Sequence, residues 1–507
     1  MKLIWNLQAM LVQPQPVQET QPNSGQGFYR HIALIGCGLS GAAFLAHLIR
    51  DHPDFSGSIT VLEPSEKLGA GLAYGTSDPV HRTNVAAARM SLFPDLPDHF
   101  DAWLRHRNVP QYDAHSTMDD GRIYARRSVF GDYVDNTVRS VIEAASGRVM
   151  VRHLRLRAVS ASRNHAGKSG WGITLEDGSL IKADILVLGV SHTAPDLPAA
   201  LRGLAGEKGL VADPWQPDAL ADIAPDAPVC IIGTGLTACD VIASLRARGH
   251  RAPMTALSRR GLLPRSRTLL PVEAAGDFST EPAQTASALL RRIRRTIAAG
   301  EAQGRPWEDV IDALRLQAPI VWCALKTVEK QRLLRHARPF WDVHRFQCAP
   351  QIDAVVRQGL EEGWLTVWAA SLVSVDREAS GDIVITFRAR GQSETSRMTV
   401  RAVVNCTGPG HRSVVEAHPV LHALAEQGAL RSDPCRLGID VDWESRVLDH
   451  AGTAWPNAFV VGPLARGTHG ELMGLPQVTT QPKAVAATVA ALAAKGIAHD
   501  VPADTEV

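Results

Sequence analysis

Continuous runs of Val, Ile and Leu, rather than alternating ones, recur along the chain, and two of them lead straight into a glycine-rich turn. His31-Ile-Ala-Leu-Ile35 meets Gly36-Cys-Gly-Leu-Ser-Gly41 and an amphipathic stretch to Arg50. Val229-Cys-Ile-Ile232 meets Gly233-Thr-Gly-Leu-Thr-Ala238 and a second such stretch. An unbroken apolar run suits a strand covered on both faces, as in a parallel sheet flanked by helices. The order then repeats. In the first copy, a strand over 58–62, a hairpin over 149–180 and the run Ala183-Asp-Ile-Leu-Val-Leu-Gly189 follow. In the second, strands over 254–258, 364–368, 372–376 and 383–388 precede Ala402-Val-Val-Asn-Cys-Thr-Gly408. The pattern predicts an α/β chain with two nucleotide-binding halves.

Between about 279 and 345 the period changes to that of helices, with Arg, Ala and Leu in excess. Leu289, Leu290, Ile293 and Ile297 share one face, while Arg291, Arg292, Arg294 and Arg295 occupy the others and suit a solvated surface. This stretch is expected to be a helical insertion.

The glycine turns carry the candidate chemistry. In Gly36-x-Gly38-x-x-Gly41 the first glycine permits the tight turn, the second lets backbone approach a pyrophosphate, and the third lets helix and strand pack closely. Phosphates then rest on the helix N-terminus, where Ser40 also lies. Glu63 closes the next strand, where a carboxylate can accept from both ribose hydroxyls, so this half is assigned to FAD. Gly233-x-Gly235-x-x-Ala238, with Thr237 beside it, forms the second turn, and alanine is tolerated in its third position. Arg259 and Arg260 stand after the following strand where an NAD site would place an acid. Either can pair with a 2′-phosphate, which favours NADPH over NADH. Gly462 ends the apolar run Asn457-Ala-Phe-Val-Val461 and is expected near the ribityl phosphate side of FAD. The helix after Gln481-Pro482-Lys483 would aim its N-terminal dipole at the flavin pyrimidine.

Composition narrows the classes. At 507 residues, 45% hydrophobic and 21% charged, the chain suits a soluble enzyme of several domains, and its net charge of +1 gives no general pull toward nucleic acid. Seven cysteines form no CxxC pair and no zinc spacing. A reducing cytoplasm fits them, and dithiol-flavin reductase chemistry does not. No metal site is expected. Residues 1–29 lack a cleavage site and read as a flexible tail, as do 497–507, and no segment has the apolar length of a membrane span. Nothing in the sequence opposes a homo-oligomer. The expected division is an FAD-binding domain at 30–204 and 399–496, an NADP-binding domain at 205–270 and 346–398, and the helical insertion at 271–345.

Gly69-Ala-Gly-Leu-Ala-Tyr74, His81-x-x-Asn84-Val85, Met90-Ser91, Ser258-Arg-Arg-Gly-Leu-Leu-Pro264 and Trp341-Asp-Val-His-Arg345 resemble the YdhS-like FAD/NAD(P)-binding proteins, over nearly everything after residue 30. Those proteins are similar to the single-component (class B) flavoprotein monooxygenases, including the flavin-containing and the N-hydroxylating amino-acid monooxygenases. The resemblance implies a glutathione-reductase-like arrangement of two Rossmann-like domains. It also implies FAD reduced by NADPH, and O2 captured as a C4a-hydroperoxyflavin that attacks a small nucleophile, an amine or amino-acid nitrogen. The stretch Asn84 to Pro97 is similar to the flavin-facing segment of flavin-containing monooxygenases. That similarity implies a role for Asn84 beside flavin C4a and for Met90 at the cofactor; the other reading of Asn84 is a turn residue. The FxGxxxHxxx linker of Baeyer-Villiger enzymes is missing; Gly189-Val-Ser-His192 and Asp213-Pro-Trp215 stand there instead.

Asp342, His344 and Arg345, set among Phe340, Trp341 and Phe346, are the candidate substrate contacts, since an amino-acid ligand needs a cation for its carboxylate and an acid for its ammonium. His192 and His469 suit ordinary loop roles. Two other functions fit the same motifs: an NADPH-dependent reductase or oxidase without oxygen insertion, and a non-catalytic protein that senses the nucleotide.

Overall fold

The computed structural model describes residues 31–163, 170–191, 193–270, 272–410 and 413–495. The expected tails and His192 lie outside the described residues. In chain order the strands are β1 (His31–Ile35), β2 (Gly57–Leu62), β3 (Val149–Leu154), β4 (Ala158–Arg163), β5 (Trp171–Leu175), β6 (Leu180–Ala183), β7 (Ile185–Leu188) and β8 (Leu210–Val211). They continue as β9 (Val229–Ile232), β10 (Met254–Ser258), β11 (Leu365–Arg377), β12 (Ile383–Ala389), β13 (Ser396–Val400), β14 (Ala402–Asn405), β15 (Arg446–Leu448) and β16 (Ala454–Val460).

The first sheet runs β15-β16-β7-β1-β2-β3 and the second β13-β12-β11-β10-β9-β14-β8, so each glycine turn leaves a central strand. β16 pairs in parallel with β7, which returns the chain to the first half after the second is complete. Residues 33–35 and 229–232 are almost fully buried, as strands covered on both faces must be. Helices Leu39–Asp51, Arg127–Ala144 and Gln477–Lys495 cover one face of the first sheet. Small residues such as Ala42, Ala43 and Ala46 let the first and last of them approach closely around a core that includes Phe44, Phe130, Tyr133 and Val489.

Two expectations need correction. Residues 149–154 are not an arm of a hairpin. β3 pairs in parallel with β2 over its whole length, and the antiparallel unit is the separate sheet β4-β5-β6. As an edge strand β3 is half exposed, and its alternating burial mimics a hairpin. The strands expected at 364–368 and 372–376 are one strand, β11. Its start pairs in parallel with β10 and its end antiparallel with β12, with a shift of register at Leu372/Ser374 in place of a turn.

Residues 286–345 form four helices, Ala286–Glu301, Glu308–Ala324, Thr327–His336 and Arg338–Arg345, around a small core of Phe278, Leu289, Val310, Leu314 and Val321. Ile293 and Ile297 pack against this core, and Arg291, Arg294 and Arg295 are exposed. The two halves are tied by a half-buried ion pair, Arg127 Nη2 to Asp240 Oδ2 at 2.8 Å, and by His81 Nε2 against Ser244 Oγ at 3.2 Å. No helix among the described residues is long and apolar enough to cross a membrane.

Candidate active site

The first glycine turn is held from below by backbone. Gly36 has φ +82°, and a Cβ there would stand 2.9 Å from Gly189 O. One on Gly41 would stand 2.5 Å from Gly36 O. A Cβ on Gly38 would meet only Gly71 Cα, at 3.7 Å, so the helix N-terminus stays open to a ligand. Glu63 follows β2 and places its carboxylate on the rim of the turn: Oε2 accepts from Cys37 N at 2.9 Å and Oε1 from Ser65 N at 3.0 Å.

The Ser40 hydroxyl is engaged within the protein. Pro482, inside the last helix, has no N–H to offer Val478 O four residues back, and Ser40 Oγ donates to that carbonyl instead at 3.1 Å. Gly462, at φ +90°, lies against Ser40, since a Cβ would come within 2.5 Å of Ser40 Oγ, and its N–H donates to Gln481 Oε1 at 2.9 Å. The last helix also begins at Gln477, several residues before the expected start. Met90 is 3% exposed and packs in the first core.

The second turn repeats the design. Gly233 has φ +119° with Cys406 O 2.2 Å from a Cβ, Gly235 has nothing within 4 Å of one, and Ala238 is fully buried against the strand. Thr237 lines a small crevice between the halves with Asp240 and Arg248. Arg259 is exposed after β10, whereas the Arg260 guanidinium lies 4.8 Å over the Phe340 ring of the insertion. The two arginines therefore part company, and Arg259 is the one left exposed after β10.

A cavity of about 350 Å³ opens where both halves meet the insertion. Val85, Ala86, Arg89 and Tyr124 come from the first half, Arg267 and Gln347 from segments flanking the insertion, Trp307, Ile311, Arg315 and His344 from the insertion, and Leu475 and Pro476 from the approach to the last helix. Asn84 borders it and is clamped: Nδ2 donates to Gln347 O at 3.2 Å, and its own carbonyl accepts from Arg267 Nε at 2.7 Å. Gln347 is a hub, donating to Ser266 O at 3.1 Å and Glu308 Oε1 at 3.0 Å while Oε1 accepts from Arg267 at 3.0 Å.

Of the expected substrate contacts, His344 and Arg345 line this cavity and Asp342 does not. Asp342 pairs with Arg338 at 3.4 Å one helical turn earlier. Burial pushes its carboxyl above the usual carboxylate range, partly offset by Arg338. His344 Nδ1 meets Phe340 O at 2.7 Å, and the buried Arg345 donates from Nε to Glu471 Oε1 at 2.7 Å. Arg89, Arg122, Arg267, Arg315, Gln347 and Glu471 were not marked by any sequence motif. Arg89, Arg267 and Gln347 lie beside motifs, next to Met90-Ser91, just past Ser258-Arg-Arg-Gly-Leu-Leu-Pro264 and just past Trp341-Asp-Val-His-Arg345.

Residues 33–193 match a family described as FAD-NAD(P)-binding. L-aspartate N-monooxygenase (nitrosuccinate-forming) of Streptomyces cremeus is 26% identical over 245 residues, 42% of this chain and 36% of that protein, so the match spans about a third of that relative's length. The reduced form of ornithine hydroxylase from Pseudomonas aeruginosa superposes with a TM-score of 0.60 at 15% identity, covering 91% of this chain and 99% of that one. An FAD-bound cadaverine monooxygenase of desferrioxamine biosynthesis from Erwinia amylovora gives 0.60 at 12% identity, covering 95% and 99%. L-lysine 6-monooxygenase from Pseudomonas syringae gives 0.59 at 17%, covering 92% and 99%. The chain has the two-domain dinucleotide-binding α/β fold of these proteins.

The position of Glu63 yields a direct test of the first turn. Glu63→Ala is expected to weaken FAD retention about 10- to 100-fold, the effect of losing charge-assisted hydrogen bonds to the ribose. The check is the ratio of flavin absorbance to protein absorbance after dialysis; an unchanged ratio would remove Glu63 from the site.

Proposed function

We propose that this protein is an FAD-dependent, NADPH-consuming monooxygenase that hydroxylates the nitrogen of a small amine or amino acid. The observation that carries the reading is the cavity at the junction of the two glycine-turn halves and the insertion, which all three help to line. The relatives named above, by their names an N-monooxygenase of aspartate and hydroxylases or monooxygenases of ornithine, cadaverine and lysine, support it. The motifs at 69–74 and 258–264 support the finer placement among YdhS-like proteins.

The reaction balances as R–NH2 + O2 + NADPH + H+ giving R–NHOH + NADP+ + H2O. Both turns fit their nucleotides: the approach to Gly38 and Gly235 is free of protein side chains, and each glycine stands at the N-terminus of a helix. Bound FAD supplies hydride acceptance from NADPH and activation of O2, chemistry no side chain provides. Glu63 accepts from the adenosine ribose of FAD, and Arg259 pairs with the 2′-phosphate of NADPH. Arg267 and Gln347 hold Asn84 at the cavity edge, so its orientation is fixed before substrate arrives. Trp307, Ile311 and Leu475 form apolar wall that limits water.

The test is anaerobic reduction of the purified holoenzyme by NADPH, then mixing with O2 and a panel of amines and amino acids. Hydroxylamine formed in proportion to NADPH consumed supports the proposal. Hydrogen peroxide in that proportion with every amine would mean an oxidase, and no reduction would mean a binding protein. Arg259→Ala is expected to raise KM for NADPH about tenfold, the loss of one exposed phosphate pair, and to leave KM for NADH unchanged. Parallel steady-state titrations with the two coenzymes check this.

A further inference from the structure

The lining of the cavity is unbalanced in charge. Five arginines, Arg89, Arg122, Arg267, Arg315 and Arg345, face three acids, Asp120, Glu308 and Asp312. The acids are already engaged. Asp120 pairs with Arg122 at 2.6 Å, Asp312 with Arg315 at 3.0 Å and also with Arg89, and Glu308 accepts from Gln347. Glu471, behind the wall, takes Arg345. With all four acids counted, Arg267 remains without a carboxylate partner among the described residues; its hydrogen bonds go to the neutral oxygens of Asn84 and Gln347.

Two further donors are left over. Arg345 Nη2 and Arg315 Nε are buried and have no hydrogen-bond partner among the described residues. A buried guanidinium N–H without an acceptor is costly, and a cluster of them in a partly closed cavity is satisfied by an anion. The same crowding weighs on the protonated forms of these groups. Burial, and then the charges of Arg89 and Arg345, pull the Arg267 guanidinium down to about 10, and burial followed by Arg345 does the same to Arg315. Both remain cations at neutral pH and gain from a negative neighbour.

We infer that the substrate is an acidic amine, a small amino acid with a second carboxylate or equivalent anionic group, and that Arg267 anchors this group with Arg345 and Arg315 on the same wall. The inference rests on the N-hydroxylating reading of the cavity. It adds the sign of the substrate: a diamine or a basic amino acid would bring a second positive charge to the unpaired cation.

The test uses the NADP+-saturated holoenzyme, so that nucleotide phosphates already occupy their own site. Binding is measured by calorimetry for L-aspartate, L-glutamate, L-asparagine, L-ornithine and cadaverine. At low salt the two acids should bind at least about tenfold more tightly than L-asparagine, and added salt should narrow the gap. Arg267→Gln should reduce affinity for the acids about 10- to 100-fold, Arg267→Lys should restore part of it, and Arg291→Gln, on the exposed face of the insertion, should match the unaltered protein. Tighter or equal binding of L-asparagine or L-ornithine overturns the inference, as does acid binding that NADP+ abolishes, which would assign the cluster to nucleotide phosphate. The comparison within the unaltered protein stands even if an Arg267 variant does not fold. Acids that bind but never yield hydroxylamine would sink the monooxygenase reading and keep the arginine-lined, anion-binding pocket. Hydroxylation of L-ornithine without acid binding would do the reverse.

Discussion

Asp113→Ala is expected to destabilise the first half by about 3–5 kcal/mol, the usual cost of stripping one partner from a buried ion pair. Arg82 Nη1 donates to Asp113 Oδ2 at 2.6 Å and Nη2 to Oδ1 at 2.9 Å, and the two side chains are 8% and 4% exposed. Losing the carboxylate removes both acceptors of this two-pronged pair at once. Arg126 Nε also approaches Asp113 Oδ2 at 3.3 Å, so the variant strands a second guanidinium in part. The damage should spread along the backbone: the Arg82 carbonyl accepts from Arg127 Nε at 2.9 Å, Arg127 pairs with Asp240 of the other half, and Asn84 stands two residues on. Urea unfolding followed by tryptophan fluorescence should show the loss, while Arg82→Met combined with Asp113→Leu should recover most of it, because an apolar pair leaves no stranded charge. A loss below about 1 kcal/mol for the single change would mean that the pair is solvated and does not hold the segment.

How much of this was legible in the sequence follows from the range of each constraint. A glycine turn is local: strand, φ-positive glycine and helix N-terminus lie within a dozen residues, and Gly36, Gly41 and Gly233 stand where that argument puts them. Ser40 shared the turn, but its hydroxyl answers to Pro482 more than four hundred residues later, and no local pattern carries that. The same holds for the neighbours Arg259 and Arg260, whose difference is made by Phe340. Charge type and adjacency singled out Asp342, His344 and Arg345 together, yet the cavity takes only the last two, since Arg338 holds Asp342 along the helix. Arginines 89, 122, 267 and 315 come together only through the crossings between halves, so their summed charge could not be read from a chain whose net charge is +1.

A single methyl group at Gly233 should separate the two proposed cofactors. A Cβ there would lie 2.2 Å from Cys406 O and 2.7 Å from Cys406 C, both backbone atoms, and the residue has φ +119°. The turn cannot retreat, because β9 is paired with β14 up to Ile232 opposite Asn405, one residue before that carbonyl. Backbone strain of about 1–2 kcal/mol and an overlap of about 1–3 kcal/mol together give about 3 kcal/mol, or about a hundredfold in occupancy of the native turn. Gly233→Ala should therefore slow reduction of the flavin by NADPH about a hundredfold at limiting coenzyme and leave FAD content and reduction by dithionite unchanged, since the first turn rises from a different sheet. Gly235→Ala is the informative partner. Gly235 has φ −83° and nothing within 4 Å of a Cβ, so that variant should keep the melting temperature of the unaltered protein. If it nevertheless loses NADPH, the space above Gly235 is space the pyrophosphate needs. If both variants reduce at the normal rate, the coenzyme enters by another route and the assignment of the second turn fails.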